Sequence, residues 1–336
     1  MDGTLTADGS IGRANRLKAV WRGDSGVLLG LLLVAIFFGI LIGPQFFRPA
    51  NLELMAIQTV IVCVAALGMT MVIVSAGIDL SVGSVVALAT VVAAVLLRRG
   101  YDPALAALGA LGAAALCGLM NGVLITRLKV VPFIVTLGTM LLVRGAAKGV
   151  AEERRIEAPL TWLNDLLRTA RGGSGFGVPA GIWITLGLAL IVGAVLGYTR
   201  FGRHLFAIGS NERTARLCGV RVERRKLQVY TLAGIFAGLA GIFQFSRLSV
   251  GDPTVAVGLE LDVIAAVIIG GGSLLGGKGT VIGTMGGAAI MAVIQIGCSQ
   301  HGLPNLVQQI VTGIIIVMAV ALDHWRQESF RRGAAQ

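Results

Sequence analysis

The chain has 336 residues, of which 55% are hydrophobic and 13% charged, with 48 glycines, a mean hydropathy of +0.85 and a net charge of +11. A soluble domain carries about 25% charged residues, so this composition excludes one and points to several membrane-crossing helices of about 20 apolar residues each. The basic residues gather between apolar runs, as loop-orienting charge does, and no nucleic-acid partner is expected.

Ten helices are predicted, giving an all-α polytopic membrane bundle. Residues 1–26 are mixed and basic (Arg13, Arg16, Lys18, Arg22) with no small-residue cleavage site, so helix 27–43 is expected to stay as an anchor. Helices 54–76 and 80–97 flank Gly77-Ile-Asp-Leu-Ser-Val-Gly-Ser84. A lone carboxylate near the membrane centre costs roughly 2.5–3.5 kcal/mol on insertion scales. Asp79 therefore either caps the helix that Ser81 leads, or lines a path or gate.

Helix 103–126 is interrupted by Asn121, which can bond a neighbouring helix or a ligand. Helix 130–148 carries Thr136 and Thr139. These, like Ser246, can bond their own backbone. Helices 181–199, 228–246, 261–275, 280–298 and 306–323 follow, and Gln58 and Gln295 are read as Asn121 is. Segment 261–275 is short and glycine-rich, fitting a re-entrant or broken span. Gly271 and Gly272, within the run that follows, either serve close packing or line a path.

Ten spans put both ends on one side. That side holds most of the 28 Lys and Arg, eight of them between Arg200 and Lys226, so both termini and loop 200–227 are expected to be cytoplasmic. The expected organisation is a cytoplasmic segment 1–26, a membrane domain 27–323 with outer loops 149–180 and 247–260, and a cytoplasmic tail 324–336. Within the first outer loop, residues 160–168 have the spacing of a short surface helix.

The four cysteines (Cys63, Cys117, Cys218, Cys298) show no disulfide or metal spacing, and His204, His301 and His324 are dispersed. No acid–base or nucleophile constellation appears, so neither an enzyme nor a cofactor is expected. Gly272 to Lys278 matches a phosphate loop until Gly279 takes the place of the required Ser or Thr. A turn between two helices fits better. Glu212, Ala215 and Gly219 fall on one face of a short helix, with Asn211 or Ser210 as N-cap and Gly219 as C-cap. Such a helix is either a solvated connector or a ridge for a partner's groove.

Gly77 to Ser84, Gly118 to Gly122 with Leu128 to Arg144, Gly202 to Gly219, and Glu260 to Ala266 with Gly270 to Gly279 occur in an order that resembles the permease subunit of ribose-type bacterial ABC sugar importers. The resemblance covers about residues 27–326. It implies a multi-pass inner-membrane subunit that pairs, usually as a homodimer. A periplasmic binding protein would bring a monosaccharide, and a separate cytoplasmic ATPase would grip the helix holding Asn211, Glu212, Ala215 and Gly219. Thr214 stands where family members often have Ala. The path or gate would draw on Asp79, Ser81, Asn121, Thr136, Gly271 and Gly272. The neighbouring permeases for branched-chain amino acids or nucleosides form the alternative. A stand-alone carrier is the third reading, for which only Asp79 could couple an ion.

Overall fold

The computed structural model describes residues 26–168 and 178–333. The basic N-terminal residues Arg13, Arg16, Lys18 and Arg22 lie outside the described residues, as does the middle of loop 149–180. Helix α1 (Gly26–Ile42) leads through a turn at Pro44–Phe47 into α2 (Pro49–Val74). Then come α3 (Val82–Arg98), α4 (Pro103–Leu128) and α5 (Pro132–Val150). Prolines open α2, α4 and α5, where their missing N–H is no loss. Asp102 caps α4 by accepting the Ala104 N–H at 2.8 Å.

A short strand β1 (Ile156–Glu157) and α6 (Trp162–Asp165) precede α7 (Ala180–Tyr198), α8 (Arg200–Ser210) and α9 (Glu212–Leu217). The chain continues through α10 (Val222–Leu248), strand β2 (Val250–Gly251), α11 (Leu259–Ile269), α12 (Val281–Gln300) and α13 (Asn305–Gly333). Strands β1 and β2 pair antiparallel, the only departure from helix among the described elements. Six helices (α2, α4, α5, α7, α10 and α12) are long and apolar enough to cross a membrane. Three apolar stretches, Gly26–Ile42, Val82–Arg98 and Leu306–Met318, are shorter.

The all-round apolar sequence of α2 buries it at the centre, and every residue from Val60 to Val74 is inaccessible. Helices α7, α10, α11 and α12 pack around it. On the far side of α10, α4 comes in closely because glycines face each other. A Cβ on Gly118 would fall on the Tyr230 carbonyl, and one on Gly234 on the Ala114 carbonyl. Gly118→Val is therefore expected to reduce the folded, membrane-inserted protein severely. Overpacking costs about 1–3 kcal/mol even where side chains yield, and here backbone blocks both ways. Melting of the detergent-purified protein checks this, and an unchanged melting temperature would contradict the packing.

Two expected boundaries move. Segment 249–258, expected as an outer loop, descends along α3. Gly251 lies against Ala94, the Asp252 N–H donates to Thr90 Oγ1 at 3.3 Å, and Ala256 and Glu260 face Gly83. Ala94 to Gly83 is roughly 16 Å of helix at 1.5 Å per residue. The turn chemistry of Gly251-Asp-Pro253 read as surface because hydropathy cannot register burial by contact. The second shift concerns 261–275, where α11 is a helix of 11 residues, ending at Ile269. At ~16 Å it is half a bilayer long, so it is a broken segment continued by loop 270–280.

Candidate functional site

The break after α2 is built on hydrogen bonds. Ala76 takes a positive φ of 58°, and the Gly77 N–H returns to the Val72 carbonyl at 2.9 Å. Asp79 Oδ1 accepts the Ser81 N–H at 2.9 Å and the Ser81 hydroxyl at 2.6 Å. From α4, Asn121 Nδ2 donates to Ser81 Oγ at 2.9 Å and sits 3.5 Å from Asp79 Oδ1. From α5, the Thr136 hydroxyl donates to the Ile78 carbonyl at 3.4 Å, while also bonding its own helix at Pro132. Tyr230 of α10 donates to the same Ile78 carbonyl at 3.3 Å. Asp79, Ser81, Asn121 and Thr136 thus meet at one buried joint. Tyr230 completes it unforeseen. Its one sequence signal is a lone tyrosine in an apolar run.

Gly271 and Gly272 belong to loop 270–280 and take no part in that joint. Gly271 has φ +89°, whereas Gly272 packs its bare Cα against Val267. The loop docks on the end of α2, where the Gly277 N–H donates to the Val74 carbonyl at 2.9 Å. Gly209 of α8 is wedged into this contact. A Cβ there would strike both the Val74 carbonyl and the Gly277 nitrogen. The basic loop 200–227 therefore touches both breaks in the bundle.

That loop folds as two helices rather than one. Asn211 separates α8 from α9 and accepts the Thr214 N–H at 3.0 Å as N-cap. Ala215 is buried with Ile208 and Val222, and Gly219 turns the chain out of α9 at φ +82°. Glu212 pairs with Lys226 at 2.7 Å and with Arg216 at 3.0 Å. Arg216 also pairs with Glu223. Partial burial pushes Glu212 up, but Lys226 and Arg216 outweigh it and hold the carboxyl below its usual range. Glu212, Arg216 and Lys226 line a cleft of about 410 Å³, whose other wall includes Lys129, Val131 and Pro132 at the head of α5.

A second polar chain crosses the other end of the bundle. Arg247 at the end of α10 donates to Gln58 of α2. Gln58 donates to Gln295 of α12 at 2.9 Å, and Gln295 to Asp262 of α11 at 2.5 Å. Gln58 and Gln295 were legible as polar interruptions, while Arg247 was read as a loop charge and Asp262, inside the predicted helix 261–275, was not singled out. Nearby, Arg144 of α5 donates to the carbonyls of Pro253 (3.1 Å) and Val255 (2.6 Å), pinning the descending segment. Ser246 does not bond its own backbone. It donates to the Asn164 carbonyl and accepts the Leu167 N–H, both at 3.0 Å, and so holds α6. No group of three metal ligands occurs among the described residues.

The model of the branched-chain amino acid transport system permease component matches residues 51–320, which include every element of the joint and both α8 and α9. The chain belongs to this permease family. The permease is 38% identical to the ribose import permease protein of Escherichia coli (strain K12) over 323 residues, covering 96% of this chain and 100% of that one. It is 35% identical to the fructose import permease protein of Rhizobium meliloti, over 89% of this chain and 84% of the relative. With the L-arabinose ABC transporter permease protein of Azospirillum brasilense the identity is 34%, over 96% and 95%. The permease is an integral membrane transport subunit and not an enzyme.

Proposed function

We propose that the permease moves a monosaccharide across the inner membrane. A binding protein outside would deliver the sugar, and a separate cytoplasmic ATPase would bind α9. The ribose, fructose and arabinose permeases among its relatives support a sugar. The contact of Gly209 with both Val74 and Gly277 carries the mechanism. A push on α9 reaches α8 across the Asn211 cap. From there it reaches the end of α2 at Val74 and loop 270–280 at Gly277, both of which meet Gly209 at backbone, and the loop leads back to α11. Asp79, Ser81 and Asn121 tie the α2–α3 break to α4, and the Ile78 carbonyl ties it to α5 and α10. The reading takes ten crossings with cytoplasmic termini: the six long helices, α1, α3, the apolar part of α13, and α11 completed by loop 270–280. A second copy of the chain completes the path.

The branched-chain amino acid description of the family model favours a second reading, an amino-acid substrate. ATP hydrolysis by the permease–ATPase complex in nanodiscs separates the two. Stimulation by a binding protein loaded with one sugar is expected. Stimulation only by an amino-acid-loaded binding protein would overturn the sugar assignment.

A further inference from the structure

The basic end of α10 carries a feature that coupling does not use. A cavity of about 290 Å³ is lined by His204, Gly219, Arg221, Arg224 and Arg225. Among the described residues no carboxylate lines it. Glu212 and Glu223, the nearest acids in sequence, are engaged by Lys226 and Arg216. Arg221 and Arg224 are exposed. They stand at the first turn of α10, where the helix dipole adds positive potential and Arg221 supplies no side-chain cap.

Directly along α10 lies a groove of about 400 Å³, walled by Leu119, Val195, Phe201, Leu227, Thr231 and Leu232 with Gln228 at its head. Its lining comes from α4, α7, α8 and α10, and all but Gln228 and Thr231 is apolar. Arg225 joins the two spaces. Its guanidinium donates to Gln228 at 2.9 Å and to His204 at 3.2 Å, and lies 5.6 Å over the Phe201 ring. Arg225 of the cationic pocket thus reaches two residues that line the apolar groove, Gln228 and Phe201, and so links the neighbouring spaces. Burial and the surrounding guanidiniums of Arg225, Arg203 and Arg200 keep His204 below its ordinary pKa, which fits a site of high positive potential.

We propose that these two spaces together bind an anionic phospholipid of the cytoplasmic leaflet, its phosphate on Arg221, Arg224 and Arg225 and an acyl chain in the groove. The occupant is set by charge complementarity at one end and apolar lining at the other. A soluble anion would leave the groove empty, and an acidic protein surface cannot follow it into the bilayer. The assignment to that leaflet rests on the orientation proposed above; the lipid preference itself does not rest on the sugar reading. A lipid seated here touches α8 and the start of α10, so it braces the loop that carries α9.

Native mass spectrometry of the delipidated full chain, titrated with phosphatidylglycerol or phosphatidylcholine, tests this. Phosphatidylglycerol is expected to bind about tenfold more tightly, since basic residues at the membrane surface each favour anionic lipid. The double variant Arg221→Gln/Arg224→Gln is expected to bring the ratio near one, while Arg221→Lys/Arg224→Lys keeps most of it. Thr231→Trp, which fills the groove, is expected to weaken both lipids. Equal binding of the two lipids by the native chain would overturn the proposal, as would a preference that survives the Gln pair. Displacement by inorganic phosphate, with Thr231→Trp silent, would make this an ion site instead. Loss of lipid on adding the ATPase would assign the arginines to that partner.

Discussion

Glu212→Lys is expected to leave the permease in the membrane and to lower substrate-stimulated ATP hydrolysis by the assembled importer at least about tenfold, a loss equivalent to ~1.4 kcal/mol. The substitution reverses one charge in a four-member network and sets a third cation beside Lys226 and Arg216. The exposed ion pairs contribute little to stability, ~0.2–1 kcal/mol each, and Ala215 still anchors α9 beneath them, so folding survives. What is lost is the acidic start of α9, the end that leads into the Gly209 contact. The swap Glu212→Lys/Lys226→Glu separates the two explanations. It restores the pair but not the charge offered to a partner, so hydrolysis is expected to stay low. Recovery of full stimulation by the swap would reduce Glu212 to an intramolecular strut, and unchanged stimulation in the single variant would remove it from coupling altogether. Because Glu212 sits below the ordinary carboxyl range near 4.5, the network is complete at neutral pH and loosens only as pH falls through that lowered value. Coupling is therefore expected to be flat across neutral pH.

Much of this fold is legible in the sequence because a bilayer leaves few choices. Backbone groups in lipid must be satisfied within the helix, so an apolar run such as 54–76 can only be a crossing. The polar break at Gly77 to Ser84 was equally plain, since Asp79 is unaffordable without partners. Position within the bundle was not legible. Nothing in the composition of 249–258 says that Gly251 meets Ala94 and Glu260 meets Gly83, because a dipping loop is polar for the same reason as a surface one. The α9 residues were readable through their caps, Asn211 and Gly219, which act locally. By contrast, α8 was missed although Phe201, Leu205 and Ile208 stand at i, i+4 and i+7, the spacing of an amphipathic helix, because the loop was read for its charge and not for its period. The Tyr230–Ile78, Arg247–Gln58 and Gln58–Gln295 contacts join residues more than a hundred positions apart, and no local signal encodes such pairings.

The carboxylate of Asp79 is expected to matter as a hydrogen-bond acceptor rather than as a charge. Its Oδ1 takes two bonds from Ser81, and Asn121 approaches the same pair from α4. Asp79→Asn keeps an oxygen in that position, so transport within about threefold of native is expected at normal membrane levels. Asp79→Ala removes it and strands the Ser81 N–H in a buried setting, at a cost of about 1–3 kcal/mol. The alanine variant should therefore melt at a lower temperature and transport poorly for want of folded protein. Asn121→Leu leaves the Asp79–Ser81 bonds intact but detaches α4. It is expected to melt close to Asp79→Ala and to be non-additive with it, as residues sharing one network are. The decisive comparison is uptake normalised to inserted protein. If Asp79→Asn inserts normally, melts normally and still fails to transport, the negative charge faces the moving substrate or a gate. The joint would then be part of the path instead of the frame that holds α3, α4, α5 and α10 at fixed spacing around it.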